Sequence, residues 1–401
     1  VSSQKIRYFF AFLGNLFEHY DTALFTLLIP FLSQKLFPQD GLALSLVKGF
    51  SLIPLTFFTK PLGALFFSWL AKFRTRAFSL KFSYLGMAIV TGFIGIIPLN
   101  PFFKYNMAIL VILRLSQGFF SSGETINGAM YVMQASKDKE RNFFSALFDA
   151  SSLAGYLIAS LAIYVFIHLD LLEQYWRVLF FIGSLAFLPA LFLKTPQDKT
   201  DIETRTTSYP SLLTFLQLFF CSGLSYAFFA LAFTFSNGAL PLFSKLTSKT
   251  IQNHTTLLFL IDMIFLPLAG LLGKKITSLK LMKLSLCLAF FIVPFSIFML
   301  PYTNVSGVFI IRCLWVILGA TFSANLYDFY YCLYPSKEQT YQISLATSLG
   351  SCFLGHTFSS SSLFIFQIFQ SSLYIGIFFS CLCLLSFMVL QKKSKKLPYL
   401  V

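Results

Sequence analysis

Charge is what this chain has least of. Asp, Glu, Lys and Arg together make up 11% of its 401 residues, where soluble proteins carry about 25%. So little charge cannot clothe a soluble body of this size, and an apolar share of 57% excludes a disordered chain. Acidic residues are the scarcer sign, 15 against 30 basic, for a net charge of +15. A basic balance can signal a nucleic-acid surface. In so apolar a chain it instead reads as the basic loops of a membrane protein, so no nucleic-acid partner is expected. Histidine is sparse, four residues at His19, His168, His254 and His356. No metal-type spacing, nucleophile–base spacing or phosphate-cradling loop occurs. An enzyme is therefore not expected, and no cofactor or metal. The seven cysteines all fall in apolar segments of the second half and read as small buried hydrophobes. Phe, at 53 residues, is the one excess; it reads as codon bias and carries no functional weight.

What the chain does have is length of apolar run. A bilayer core about 30 Å thick needs about 20 mostly apolar residues per helix. Twelve stretches meet this, near 9–33, 45–70, 78–98, 106–134, 143–167, 177–194, 211–236, 255–273, 281–300, 305–333, 342–368 and 371–390. The first holds Glu18 and Asp21 and lacks a small-residue cleavage site, so it is not read as a signal peptide. With both termini inside, 21 Lys and Arg fall on the cytoplasmic side. Six fall outside: Lys35, Lys48, Lys104, Arg177, Lys245 and Lys249. That asymmetry satisfies the positive-inside rule and supports an even number of spans. The one clearly polar stretch, Thr195–Tyr209, divides the chain six and six. The expected organisation is an N-terminal half over 1–194, a cytoplasmic linker over 195–210 and a C-terminal half over 211–401. Weak echoes about 200 residues apart (Leu70-Ala71-Lys72 with Leu272-Gly273-Lys274, Ile112-Leu113-Arg114 with Ile310-Ile311-Arg312) fit the parallel repeats of some transporters.

Ionisable side chains inside a span cost about 2.5–3.5 kcal/mol each and so need a partner or a function. Glu18, Asp21, Lys60, Arg114, Glu124, Asp149, Asp262, Arg312 and Asp328 are of this kind. At about 1.5 Å per residue, Asp21 and Arg114 reach matching depths near the midplane, which predicts a pair or a shared site. Arg312 sits at a similar depth in the other half. Glu124, Asp149 and Asp328 fall near the cytoplasmic edge, where loop cations could neutralise them. Lys60 could snorkel, and Asp262 has no partner that sequence can name. In the fourth span Arg114, Gln117, Ser121, Glu124, Gly128 and Tyr131 share one helix face, either a cavity wall or a packing seam. Ser151, Gly155 and Ala159 form a small-residue ridge suited to close helix packing.

Gly14-Asn15-Leu16-Phe17-Glu18-His19-Tyr20-Asp21 resembles the G-N-x-x-E-W-Y-D-F signature of the metabolite:proton symporters of the major facilitator superfamily. The run from Arg114 through Gln117-Gly118 to Gly123-Glu124 resembles that family's R-x-x-Q-G-x-x-x-G-G-E, and Pro61-Leu62-Gly63 its R-P-[LI]-G. Weaker matches fall at Leu240-Pro241, at Pro267 to Gly270, and from Pro335 through Ile343 to Gly355. The resemblance implies an all-α membrane protein with twelve transmembrane helices in two six-helix halves. It implies proton-coupled symport of a small zwitterionic or anionic metabolite, such as proline, betaine or an organic acid. Asp21, Glu18 and Glu124 are then expected in proton coupling, and Arg114, Tyr20, Gln117, Lys60 and Arg312 in substrate binding. The expected setting is the bacterial inner membrane, as a monomer in lipid with both termini cytoplasmic. Several positions depart from the pattern. The acidic residue of the loop after span 2 is Lys72, the corresponding loop after span 8 has Lys274, the tryptophan of the first signature is His19, span 2 carries Lys60 for arginine, and Gln339 replaces an arginine before span 11. Two alternatives stay open, an efflux antiporter, against which the lack of a G-x-x-x-G-P motif in span 5 speaks, and a degenerate facilitator or membrane interaction partner.

Overall fold

The computed structural model describes residues 2–40, 48, 52, 55–98, 105–193, 212–237, 240, 244, 246–273, 275–333 and 340–392. The expected linker 195–210, and Lys274, Pro335 and Gln339, lie outside them. The described chain is helical throughout. Its helices are α1 (Ser2–Leu36), α2 (Leu55–Phe73), α3 (Arg76–Ile96), α4 (Asn106–Ala135) and α5 (Arg141–His168). They continue as α6 (Leu172–Ser184, resumed over Phe187–Phe192), α7 (Leu212–Phe229, extended by a π-turn Ala230–Phe235) and α8 (Ser248–Leu272). The last four are α9 (Ser278–Met299), α10 (Val305–Ser323 and Leu326–Leu333), α11 (Thr340–Gly350, a π-turn Ser351–His356, then Phe358–Phe369) and α12 (Leu373–Gln391). Each falls on one of the twelve expected stretches.

The helix starts follow local chemistry. Thr75 Oγ1 accepts from Phe78 N (3.1 Å) ahead of α3. Thr247 Oγ1 accepts from Thr250 N (3.3 Å) ahead of α8, and Asn304 Oδ1 from Gly307 N (2.8 Å) ahead of α10. Each cap satisfies an amide that the first helical turn leaves unbonded. Among the described residues nine segments are long and apolar enough to cross a bilayer. The three helices that fall short are α1, α2 and α4, which carry Glu18, Asp21, Lys60, Arg114 and Glu124.

Polarity is inverted relative to a soluble bundle. On α3, Phe78, Phe82, Leu85, Ile89, Phe93 and Ile96 recur at spacings of three and four and are exposed, while Ser79, Ser83 and Thr91 of the same helix are buried. Such a face is at home in hydrocarbon, which is as apolar as the side chains themselves. Cys287 and Cys381 are likewise exposed, contrary to the expectation that all seven cysteines are buried. A thiol gains nothing by leaving lipid for a packed interior, so burial is not selected as it is in water.

The chain divides into two compact units, Val1–Ala135 with Ser151–Thr204, and Ser136–Ala150 with Arg205–Val401. The first turns of α5 thus belong with α7–α12. Within the first unit, glycines set the helix contacts. A Cβ on Gly63 of α2 would overlap Ser122 and the Phe119 carbonyl of α4, and one on Gly123 would overlap Phe67. Gly155 of α5 lies against the backbone of α1 at Leu16 and Tyr20, so the small-residue ridge is a packing seam, as expected.

Candidate functional site

The first unit gathers its buried polar groups in two clusters. In one, Asp21 of α1 accepts from Gln117 Nε2 of α4, and Gln117 Oε1 in turn accepts from Arg114 Nη1 one turn away. Gln117 also reaches Thr91 Oγ1 of α3 at 3.4 Å. Asp21, Arg114, Gln117 and Thr91 are all buried. The matched depths of Asp21 and Arg114 are therefore real, but the contact is relayed through an amide. The Arg114 guanidinium lies 3.8 Å from the centroid of the Phe25 ring, a cation–π contact that offsets part of its desolvation. Its bond to Gln117 is the only hydrogen bond it donates among the described residues, and its Nε, which is buried, donates none. A guanidinium has five N–H donors, so Arg114 keeps donors in reserve.

The second cluster lies around Glu18. His19 Nδ1 is 2.6 Å from Glu18 Oε2 and 2.9 Å from the Asn15 carbonyl. Lys60 of α2 is close enough to act on Glu18, and Glu124 of α4 acts on both Glu18 and His19. Glu124 is fully buried. Neither of its oxygens accepts a hydrogen bond of ordinary geometry among the described residues, although the Tyr84 hydroxyl stands beside it. That hydroxyl passes over α1 at Gly14, where any Cβ would occupy the space of the Tyr84 ring. The glycine of the first signature thereby admits a tyrosine to the cluster. Asn15, the next signature residue, donates from Nδ2 to Ser151 (2.7 Å) and Ser152 (2.8 Å) of α5. The α4 face from Arg114 to Tyr131 is buried along its length and serves both clusters.

Two expected substrate residues make contacts of another kind. Tyr20 donates to the Leu179 carbonyl at 3.1 Å and packs with Leu24, Phe25, Trp176 and Phe180 in an apolar core. Arg312, in the second unit, is fully buried and its donors are spent. Its Nε and Nη2 donate to the Ala232 carbonyl (3.3 and 2.9 Å), Nη1 to the Ile251 carbonyl (3.2 Å), and Nη2 also to Thr255 Oγ1 (2.9 Å) and Asn237 Oδ1 (3.3 Å). Ala232 belongs to the π-turn of α7, and a π-turn shifts the hydrogen-bond register of its helix. Arg312 thus staples α7, α8 and α10. The sequence held no sign of the turn.

Asp328 behaves as expected of an edge carboxylate. It lies 3.7 Å from Arg141 and accepts from Ser278 Oγ at 2.6 Å. Ser278 also contacts Asn142 Oδ1 (2.8 Å), whose Nδ2 donates to the Gly273 carbonyl (2.8 Å). Arg141 stacks on Tyr331 with 4.4 Å to the ring centroid. Asp262, for which sequence named no partner, has Asp149 as an electrostatic neighbour.

Among the described residues, twelve helices, nine of them long and apolar enough to cross a bilayer, enclose buried ionisable clusters; they describe a multi-pass membrane protein, and the comparisons with known proteins agree. The profile of the Major Facilitator Superfamily matches residues 11–353. The chain belongs to that superfamily. A proline/betaine transporter of Salmonella typhimurium (strain LT2) is 27% identical over 195 residues, 47% of this chain and 39% of that protein. The match therefore spans well under half of that relative's length. A putative proline/betaine transporter of Staphylococcus aureus (strain COL) is 25% identical over 83% of this chain and 77% of its own. Among solved structures, a proton:xylose symporter superposes with a TM-score of 0.76 at 14% identity, covering 96% of this chain and 95% of that one. The human organic anion transporter MFSD10 does so with 0.70 at 16% identity, covering 97% and 99%. At such identities the likeness is one of fold.

Proposed function

We propose that this protein is a proton-coupled symporter of the bacterial cytoplasmic membrane, carrying a small zwitterionic or anionic metabolite of the proline, betaine or organic-acid type. The observation that supports this most directly is the contrast between its two buried arginines. Arg312 has spent its donors on carbonyls, while Arg114 keeps donors in reserve one amide away from a buried carboxylate. A buried guanidinium with open donors favours a planar carboxylate, which it can hold through two parallel bonds.

Coupling follows from charge balance. Without substrate, Arg114 and Asp21 compensate one another through Gln117. A substrate carboxylate on Arg114 adds a negative charge to a water-poor site, and a proton on Asp21 restores neutrality. Charge imbalance at such depth is costly, so substrate and proton move together. The two halves, 1–194 and 211–401, would rock about the loaded site, with both termini in the cytoplasm. Lys60 joins the Glu18 cluster in this reading, and Tyr20 and Arg312 act as scaffold.

The test is uptake of labelled proline and labelled glycine betaine into proteoliposomes under an inside-alkaline pH gradient. At least one accumulates in the wild type, and Asp21→Asn abolishes gradient-driven accumulation. Full accumulation by that variant would remove Asp21 from the coupling role. A thermal-shift screen against osmolytes and organic acids widens the substrate search, since a ligand at one hundred times its Kd stabilises by about 2.7 kcal/mol.

A further inference from the structure

The eleventh helix is not one continuous rod. Its first part, Thr340–Gly350, runs into the π-turn Ser351–His356. Its last part, Phe358–Phe369, ends on Gln370, whose φ of 52° is left-handed. A π-turn is a place where a helix kinks, and a left-handed residue stops one. The last part is therefore flanked by a break at each end. The two parts are also held very differently.

The first part is fastened to α7. Ser222 Oγ of α7 donates to the Thr347 carbonyl at 2.9 Å. A Cβ on Gly350 would overlap the Phe219 carbonyl, one on Gly223 would stand 2.7 Å from the Gly350 carbonyl oxygen, and one on Gly355 would overlap Tyr226 Cβ. So close a seam leaves neither backbone room to slide. The last of these close approaches, at Gly355, lies inside the π-turn. Beyond it, of the twelve residues of Phe358–Phe369, Phe358 and Ser362 are the buried ones. The Phe358 ring lies 5.7 Å from that of Phe378, 5.6 Å from Phe379 and 6.2 Å from Phe235 between centroids, so it seats the near end as a pivot. Ser362 is fully buried, yet its hydroxyl makes no hydrogen bond among the described residues. An unbonded buried hydroxyl is disfavoured, which favours a second position of the segment in which it finds a partner. The π-turn of α7 is pinned by comparison: Arg312 donates to its Ala232 carbonyl and Ser236 Oγ to its Leu231 carbonyl at 2.6 Å. At the turn of α11, Thr357 Oγ1 donates to the Phe353 carbonyl (2.5 Å) and Ser351 Oγ to the Ser348 carbonyl (2.9 Å), bonds that stay within the helix and bend with it.

We propose that Phe358–Phe369 is a gate segment that swings about the π-turn while the rest of α11 stays fixed on α7. The proposal rests on the transporter reading, in whose topology the segment ends at the outer face, and adds a local motion to the rocking of the halves. Few buried contacts mark an element of low local stability, and a hinge is a short stretch that absorbs a change in backbone angles. Twelve residues make a rod of about 18 Å. A bend of about 20°, the size of a distinct kink, moves its far end by about 6 Å. The near end hardly moves, which suits a packed Phe358 there and exposed Phe364, Ile368 and Phe369 further out.

Spin-label distances in lipid nanodiscs test this. Nitroxides are attached through a ketone-bearing amino acid, so that the seven native cysteines stay in place. Ile368 with Phe291 of α9, both exposed, is the moving pair, and Leu345 with Phe291 is the fixed pair. Measurements at acid and neutral pH, with and without proline and betaine, are expected to show two distances for the moving pair, about 6 Å apart, and one for the fixed pair. A single distance for the moving pair under every condition, or equal changes in both pairs, overturns the proposal. Deletion of Phe353, an exposed residue of the π-turn, supplies the second arm, because it takes out the extra residue and leaves an unbroken α-helix. The moving pair then collapses to one distance, and uptake falls at least tenfold while the thermal shift with substrate is retained. Two distances that survive the deletion overturn the hinge. The pairs with the native turn decide alone if the deletion variant does not fold. If the swing is present while neither proline nor betaine is carried, the substrate assignment fails and the gate survives.

Discussion

Two glycines of the first unit make a matched test of how tightly its helices are set. Both Gly92 in α3 and Gly155 in α5 lie mid-helix, where alanine is better by about 1 kcal/mol on propensity alone. Their surroundings differ. A Cβ on Gly92 would meet only Ser184 Cβ at 3.7 Å, an ordinary contact. A Cβ on Gly155 would overlap the Leu16 carbonyl and stand 2.8 Å from Tyr20 N and 3.0 Å from His19 Cβ. Two of those three atoms are backbone, so no rotamer change relieves the overlap, and α1 must move away from α5. Overpacking of this kind costs about 1–3 kcal/mol, which cancels or exceeds the propensity gain. Gly92→Ala is therefore expected to raise the unfolding temperature in detergent and Gly155→Ala to lower it, as read by tryptophan fluorescence or differential scanning. Because α1 carries His19 and Asp21, Gly155→Ala should also reduce gradient-driven uptake, while Gly92→Ala should leave it near wild type. Equal unfolding temperatures for the two variants, or a Gly155→Ala protein more stable than wild type, would refute the packing argument.

Two further substitutions separate scaffold from site. Arg312→Met removes the donors that satisfy the Ala232 and Ile251 carbonyls, and should cost about 1–3 kcal/mol of stability; a protein of unchanged unfolding temperature would show that the staple does nothing. Tyr20→Phe loses one buried hydrogen bond to Leu179, about 1 kcal/mol, and should leave the KM for substrate unchanged; a tenfold rise in KM would return Tyr20 to the binding site.

What the sequence could show, and what it could not, follows from the range of the interactions. Span lengths and helix order were legible because lipid imposes them on each segment separately. The Asp21–Arg114 association was legible because helical rise converts residue number into depth. The different directions of Tyr20 and Asp21 were legible on the same grounds, since neighbours in a helix point about 100° apart. Arg312 looked like the counterpart of Arg114 by depth. Its true partners depend on the π-turn of α7, a tertiary choice with no local pattern. Lys60 gave a charge without a direction, and only the approach of α2 sets it beside Glu18. His19 was visible as a departure from a motif, but its contact with Glu18 was not legible from spacing alone.

The three helices too polar to pass as membrane spans, α1, α2 and α4, also bear on how the protein is made. α1 brings its own partner for Glu18 in His19, but the relay partners of Asp21 lie on α4, and an uncompensated charge in the lipid costs about 2.5–3.5 kcal/mol. Gln117, which relays Arg114 to Asp21, is synthesised 96 residues later. Asp21 is therefore compensated only once α4 has packed against α1. The cluster thus ties helices far apart in the chain, and its closure marks the point at which α1 and α4 have found one another.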